Sequence, residues 1–133
     1  MLERTARILD ASGIIVWVAD ASGGELRPAM AYGYADPVMG KMGAIPRGAN
    51  NAAAAAYRSV ELRTVPGDSL TTGAIVVPLM TAHGCIGVLS AEMKGGSEKD
   101  ESSQALATIF AAQLATLVSP TPASVPAKVA AQA

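Results

Sequence analysis

The stretch AIVVPLMTAHGCIGVLSAEM, residues 74–93, reads as two apolar β-strands joined at His83-Gly84, with a proline inside the first and Gly87-Val88-Leu89 inside the second. Proline has no backbone N–H to give to a sheet ladder, so Pro78, between Val77 and Leu79, predicts a bulge or strand irregularity at a fixed place. Gly87, just past the turn, leaves room for a close backbone approach. Side chains alternate along a strand, so Ile75, Val77 and Leu79 point one way while Val76 and Met80 point the other. Both faces of the hairpin are apolar, and both need a cover that excludes water.

A chain of 133 residues supports one domain with a sizeable core and is short for two. Charges nearly cancel, with 10 basic against 11 acidic residues. The basic residues are scattered instead of forming a stripe, so the footprint of a nucleic-acid or anionic-membrane partner is missing. The single cysteine, Cys85, excludes an internal disulfide and a clustered thiolate metal site, and points to a reducing, cytoplasmic compartment. MLERTARILDASG at the N-terminus has no uninterrupted apolar core of the signal-peptide kind. Nowhere does an apolar run approach the roughly 20 residues of a membrane-spanning helix.

Outward from the hairpin, Leu2, Ala6, Ile8 and Leu9 recur at near-helical spacing, predicting a short helix over residues 2–11 with Gly13 as its stop. IIVWVAD, residues 14–20, is apolar on both faces and predicts a central strand, and ASGG at 21–24 predicts a hairpin turn. ELRPAMAYG follows as an outer, half-solvated strand with Leu26, Met30 and Tyr32 on its inner side. DPVMGKMGAIPRG is rich in glycine and proline and reads as a loop; it leads into NNAAAAAYRS, whose alanines favour helix. ELRTV (61–65) is a short strand and PGDSLTTG (66–73) a loop. A late amphipathic helix starts at Ser97, where Ser97 and Asp100 make a variant of the capping box. It continues through Leu106, Ile109, Phe110, Leu114 and Leu117. SPTPASVPAKVAAQA, residues 119–133, carries three prolines and too few bulky aliphatics to offset its ordering entropy, so it reads as a linker or disordered tail beyond a single domain at 1–118.

Together these elements predict an α+β layered fold: a central antiparallel sheet, apolar on both sides, with the terminal helices over one face and the loop-helix segment 34–60 over the other. The order of elements resembles the GAF domain of sensory and signalling proteins over residues 5–118. GIIVWVADASGGELRPAMAYG is similar to that family's first hairpin, IPRGANNAAAAAYRSVELRTV to its connecting helix and third strand, and IVVPLMTAHGCIGVLSAE with KDESSQALATIFAAQLATLV to its final hairpin and late helix. The resemblance implies a five- or six-stranded antiparallel sheet, helices on one side, a small-molecule pocket on the other and a homodimer through the terminal helices.

Departures from the family's patterns narrow the function. Chromophore-binding relatives carry a bilin-attaching cysteine outside the strand core and a Pro-x-x-His-Arg type segment, whereas here Cys85 opens a strand and the only histidine, His83, sits in a turn. Relatives that reduce free methionine sulfoxide use several cysteines in concert, and Cys85 has no resolving partner. No counterpart of the cyclic-nucleotide signature Asn-Lys-x-Phe-Asp-Glu is present.

The candidate ligand-binding residues are Trp17, Tyr32, Ile45, Arg47, Asn50, Asn51, Val76 and Met93. Trp17 either stacks on a planar ligand or fills the core as a large aromatic. At the start of the connecting helix, free backbone amides and Arg47 make an anion site, or Asn50 or Asn51 simply caps the helix beside a solvated arginine. Met30, Met39, Met42, Met80 and Met93 either form an adaptable wall or fill the core. Cys85 reads as a small buried hydrophobe, and His83 as an exposed turn residue with no partner for a triad or metal site. Glu98, Asp100 and Glu101 favour the dipole of the late helix. On that helix, Ala105, Ala107, Ala111, Ala112 and Ala115 keep a surface smooth enough for a partner helix, with Leu106, Phe110, Leu114 and Leu117 facing the sheet. No nucleophile is paired with a base, so the expected function is non-catalytic: a sensory or regulatory module for an unidentified small molecule, with its effector in another domain or protein. The alternatives are a dimerisation or scaffolding module with a vestigial pocket and, third, a small redox enzyme.

Overall fold

The computed structural model describes residues 1–118 except 36, 37 and 39. Its strands are β1 (Ala11–Ala19), β2 (Glu25–Tyr32), β3 (Ile45–Pro46), β4 (Arg63–Val65), β5 (Gly73–Thr81) and β6 (Gly84–Met93), and its helices α1 (Leu2–Leu9), α2 (Ala52–Ser59) and α3 (Glu101–Val118). All strand pairs are antiparallel, in the order β3-β2-β1-β6-β5-β4. The strands β1 and β6 thus sit at the centre, each with a neighbour on both sides. Met39 and the expected tail 119–133 lie outside the described residues.

The hairpin alternates as its sequence predicts. Ile75, Val77 and Leu79 are buried beneath α1 and α3, while Val76 is buried on the side of α2. The register shift lies between Leu79 and Met80, just after Pro78. Met80 is 44% exposed and does not share Val76's cover. Because β4 pairs only with Ala74, Ile75 and Val76, the outer edge of β5 has lost its partner where Pro78 lacks its N–H. Gly87 is required by contact: a Cβ there would stand 2.0 Å from the carbonyl oxygen of Trp17 on β1.

A second bulge corrects the expected facing of β2. Val16 pairs with Met30 but Trp17 pairs with Pro28, leaving Ala29 as an extra residue. One extra residue reverses the alternation, so Leu26 packs on the α2 side while Met30 packs with the terminal-helix cluster. The expected loop before α2 also holds a short strand: Ile45 and Pro46 pair with Leu26 and Glu25.

Helix α1 stops at Asp10 and not at Gly13. Asp10 takes the left-handed conformation (φ 62°) and its N–H turns back to the α1 carbonyls, so β1 begins at the next residue. Gly13 lies instead within β1, where an added Cβ would come within 2.8 Å of the Tyr34 ring.

The capping box expected at Ser97 is not formed. Ser97 Oγ donates to the Lys94 carbonyl (2.7 Å), residues Ser97–Lys99 form a 3-10 turn, and α3 begins where Gln104 N–H meets the Asp100 carbonyl at 3.0 Å. The face of α3 also differs from expectation. Ala107, Ala111, Leu114 and Ala115 are buried, Leu106 and Phe110 are half-buried, and Leu117 is 62% exposed. Alanines on the inner stripe let the helix axis lie close to the sheet, which turns Ile109 and Leu117 outward.

Candidate ligand-binding site

The face of the sheet under α2 carries an apolar cluster of Ile15, Trp17, Leu26, Ala56, Tyr57, Val76 and Val88. At one end of this cluster lies a cleft of about 480 Å³ between Tyr57, Cys85, Ile86 and the turn Ala19–Gly23. Its volume falls within the range of small-molecule sites.

Each wall is built by a local preference of the chain. Asp20 organises the β1–β2 turn: its Oδ1 accepts from Ser22 Oγ and from Gly24 N–H, both at 3.0 Å. Burial works to raise the Asp20 pKa, but the Ser22 hydroxyl and the amides of Gly24, Glu25 and Gly23 outweigh it and hold the carboxyl below its usual range. On the other side, Asn51 caps α2, accepting from Ala54 N–H at 2.8 Å. This fixes the helix so that Tyr57, the one bulky residue after an alanine run, points down into the cluster with 6% of its surface exposed. Its hydroxyl reaches the Gly23 carbonyl at 3.4 Å.

Arg47 lies over this ring, its guanidinium carbon 5.1 Å from the ring centre. The segment carrying it is strapped down by Arg47 N–H on the Gly24 carbonyl (2.9 Å) and by Arg58, which donates to the carbonyls of Arg47 (2.6 Å) and Ala49 (2.9 Å). Cys85 is half-buried at the cleft wall, and its thiol donates to the Gly87 carbonyl at 3.3 Å. Burial pushes the thiol pKa up, against opposing effects of the Gly87 and Leu79 backbone and of the Arg47 charge. A raised pKa leaves little thiolate for nucleophilic work. The lining of the cleft therefore offers an apolar wall, an aromatic ring and one carboxylate, Asp20, while the Arg47 cation stands outside the lining, over Tyr57.

Of the residues singled out from sequence, Trp17, Ile45 and Val76 meet in or against one cluster, and Arg47 stands at its edge over Tyr57. Trp17 is 8% exposed and packed among core side chains. Asn51 is the helix cap and Asn50 is exposed. Tyr32 lies beyond the β2 bulge, 40% exposed, and Met93 is buried on the opposite face with the terminal helices. The methionines form no common wall, since Met30 and Met93 belong to the terminal-helix side and Met42 to the α2 side. Sequence reasoning missed Tyr57, Cys85 and Asp20 as cleft residues. For Tyr57 the signal was present: it is the lone aromatic in the run AAAAAYRS. Among the described residues, no group of three or more His, Cys, Asp or Glu could hold a metal ion, and no helix is long and apolar enough to cross a membrane.

The sequence model of the GAF domain matches residues 1–119. Among solved structures, the GAF-B domain of DevS from Mycobacterium smegmatis is similar at 27% identity and TM-score 0.68, over 86% of this chain and 84% of that one. The GAF domain from the Acinetobacter phosphoenolpyruvate-protein phosphotransferase shares the fold at 15% identity and TM-score 0.74, over 88% of this chain and 76% of that one. Free methionine-R-sulfoxide reductase from Neisseria meningitidis, solved with its substrate, shares it at 24% identity and TM-score 0.66, over 85% of this chain and 72% of that one. No curated protein sequence matches.

Proposed function

This chain belongs to the GAF domain family, and on that premise we propose that it is a non-catalytic sensory module binding a small anionic metabolite in the cleft beside Tyr57. GAF domains bind small molecules and sit in multidomain proteins. The observation that carries the reading is Arg47 held over Tyr57 at 5.1 Å, at the edge of an otherwise apolar cluster. Arg47 stands outside the lining, so a carboxylate or phosphate meets the guanidinium at the Tyr57 edge while a flat apolar body lies along the wall formed with Cys85 and Ile86. The pocket sits at the β1–β2 turn, and Trp17 is not on its lining but packs in the adjoining core cluster. Its output lies in a partner or another domain, and a reducing, cytoplasmic setting fits the half-buried free thiol.

The likeness to a methionine sulfoxide reductase is one of fold. That chemistry needs a reactive thiolate and a thiol to resolve the oxidised product, and this chain has one cysteine, with its pKa raised. Turnover of free methionine-R-sulfoxide that Cys85→Ser abolishes would overturn the non-catalytic reading.

Binding is tested by a thermal-shift screen of nucleotides, amino acids and organic acids, followed by calorimetry on each hit. Arg47→Ala is expected to weaken binding by about tenfold, and Tyr57→Leu to weaken it as well. A ligand whose affinity ignores both substitutions does not use this cleft. A second reading, a homodimer through the terminal helices, is supported by Ile8, Ile109 and Leu117, which are 50%, 53% and 62% exposed. Light scattering decides it: a monomer at tens of micromolar sinks the dimer.

A further inference from the structure

At another part of the sheet, away from Arg47, the loop between β4 and β5 encloses a hollow of about 470 Å³ with Gly95-Gly96 on its far side. No lysine or arginine lines it. Behind its wall lies Glu98, 1% exposed, the single buried charged residue among the described residues. Glu98 Oε2 accepts from Gly67 N–H at 3.0 Å. Its other oxygen, Oε1, is the one buried side-chain polar atom among the described residues with no hydrogen-bond partner.

Gly67 and Gly73 both line the hollow, and at Gly73 an added Cβ would stand 2.2 Å from the Glu98 carboxyl carbon and 2.4 Å from Oε1. Glu98 is not itself on the lining: the Gly73 backbone stands between its carboxylate and the hollow. Asp68, also on the lining, spends one oxygen on three donors: the amides of Leu70 (2.7 Å) and Thr71 (2.8 Å) and the Thr71 hydroxyl (3.0 Å). Amide donors hold both acids ionised. The Gly67 amide leads in lowering the Glu98 pKa, followed by the backbone amide of Glu98 itself, and the Leu70 amide leads in lowering that of Asp68. Lys99, whose charge acts on Glu98, is exposed.

A buried carboxylate oxygen without a donor is costly to keep, and such an exception calls for an explanation. We propose that this hollow is a second binding site, for a small organic cation whose ammonium or guanidinium group donates to Glu98 Oε1. The absence of any three converging His, Cys, Asp or Glu side chains among the described residues argues against a metal ion, and the volume suits an organic molecule. The donor reaches Oε1 by a local shift at Gly73, while the rest of the 67–73 loop stays tied to the frame by Gly67 on Glu98 and by Thr72 Oγ1 on Glu92 at 3.1 Å. This site is independent of the cleft beside Tyr57.

The test is calorimetry and amide NMR on the 133-residue chain, with 1,4-diaminobutane and methylguanidine as probes at millimolar concentration and calcium chloride as the metal arm. Saturable binding of an organic probe is expected, with shifts at Gly67, Gly73, Gly95 and Gly96. Glu98→Gln should weaken it by about tenfold or more, as for a hydrogen bond to a charged group. Asp68→Asn should weaken it by about threefold, and Arg47→Ala should leave it unchanged. The proposal is overturned if neither probe saturates, if binding survives Glu98→Gln unchanged, or if calcium gives the same shifts at higher affinity. Should Glu98→Gln fail to fold, Asp68→Asn with the shift map decides on its own: unchanged affinity there, or shifts confined to other residues, rejects the site.

Discussion

The two faces of the sheet are covered by different means. Under α1 and α3 the strands present Ile14, Val16, Ile75, Val77, Leu79 and Leu89 to a lid of Leu9, Ala107, Ala111, Leu114 and Ala115, all nearly free of solvent. Under α2 the buried cluster is smaller, and its border of Tyr34, Met42, Ile45, Ala52 and Cys85 is only partly buried. Close helix-on-sheet packing makes the first face a frame. The second face is closed by a capped helix, a strapped segment and side chains at the edge of water, which leaves room to adapt to a guest.

The largest effect that probes this contrast comes from neighbours on one strand. Ile75→Ala, facing the terminal helices, should cost roughly 2–5 kcal/mol of stability in denaturant unfolding. Val76→Ala, facing α2, should cost about 1.5 kcal/mol, at about 0.8 kcal/mol per buried carbon removed. Isoleucine loses three buried carbons and valine two, so the distinction between frame and cover requires a larger cost per carbon at Ile75; an equal cost per carbon would erase it. Removing the cap of α2 sharpens the picture at a smaller scale: Asn51→Ala should cost about 1 kcal/mol, whereas Asn50→Ala should stay within about 0.5 kcal/mol. If Asn50→Ala proves the costlier, the cap has been assigned to the wrong residue.

The smallest effect concerns acid. The folded-state pKa of Glu98 is lowered from the usual glutamate value of 4.5, so its ionisation contributes stability that is fully present above that pH. The contribution is lost as pH falls through the lowered value. Glu98→Gln should therefore flatten the acid limb of the stability profile, as followed by thermal unfolding across pH 2–6. A variant as steep as the parent would show that other carboxylates carry that limb.

Much of this contrast was legible before any coordinates. The alternation of Ile75, Val77 and Leu79 against Val76, and the doubly apolar IIVWV run, are local patterns that set the central strands and demand two covers. What escaped was decided between elements. The extra residue at Ala29 flips Met30 only because β1 fixes its register on both sides of the bulge. The alanines of α3 point inward because closeness to the sheet outweighs the burial of Ile109 and Leu117. In the candidate site, Arg47 and Trp17 stood out by type. The pairing of Arg47 with Tyr57, though, depends on how the loop before α2 is strapped to the β1–β2 turn, which spacing along the chain does not encode. Glu98 looked like a dipole partner for the late helix and is instead packed behind Gly73.

Asp10 is the whole of the connection between α1 and β1. A joint of one residue has no slack: any shift or rotation of the first helix pulls at once on the strand that carries Trp17 at the middle of the sheet. The same strand ends at Ala19 on the lining of the cleft, so no loop lies between the first helix and that wall.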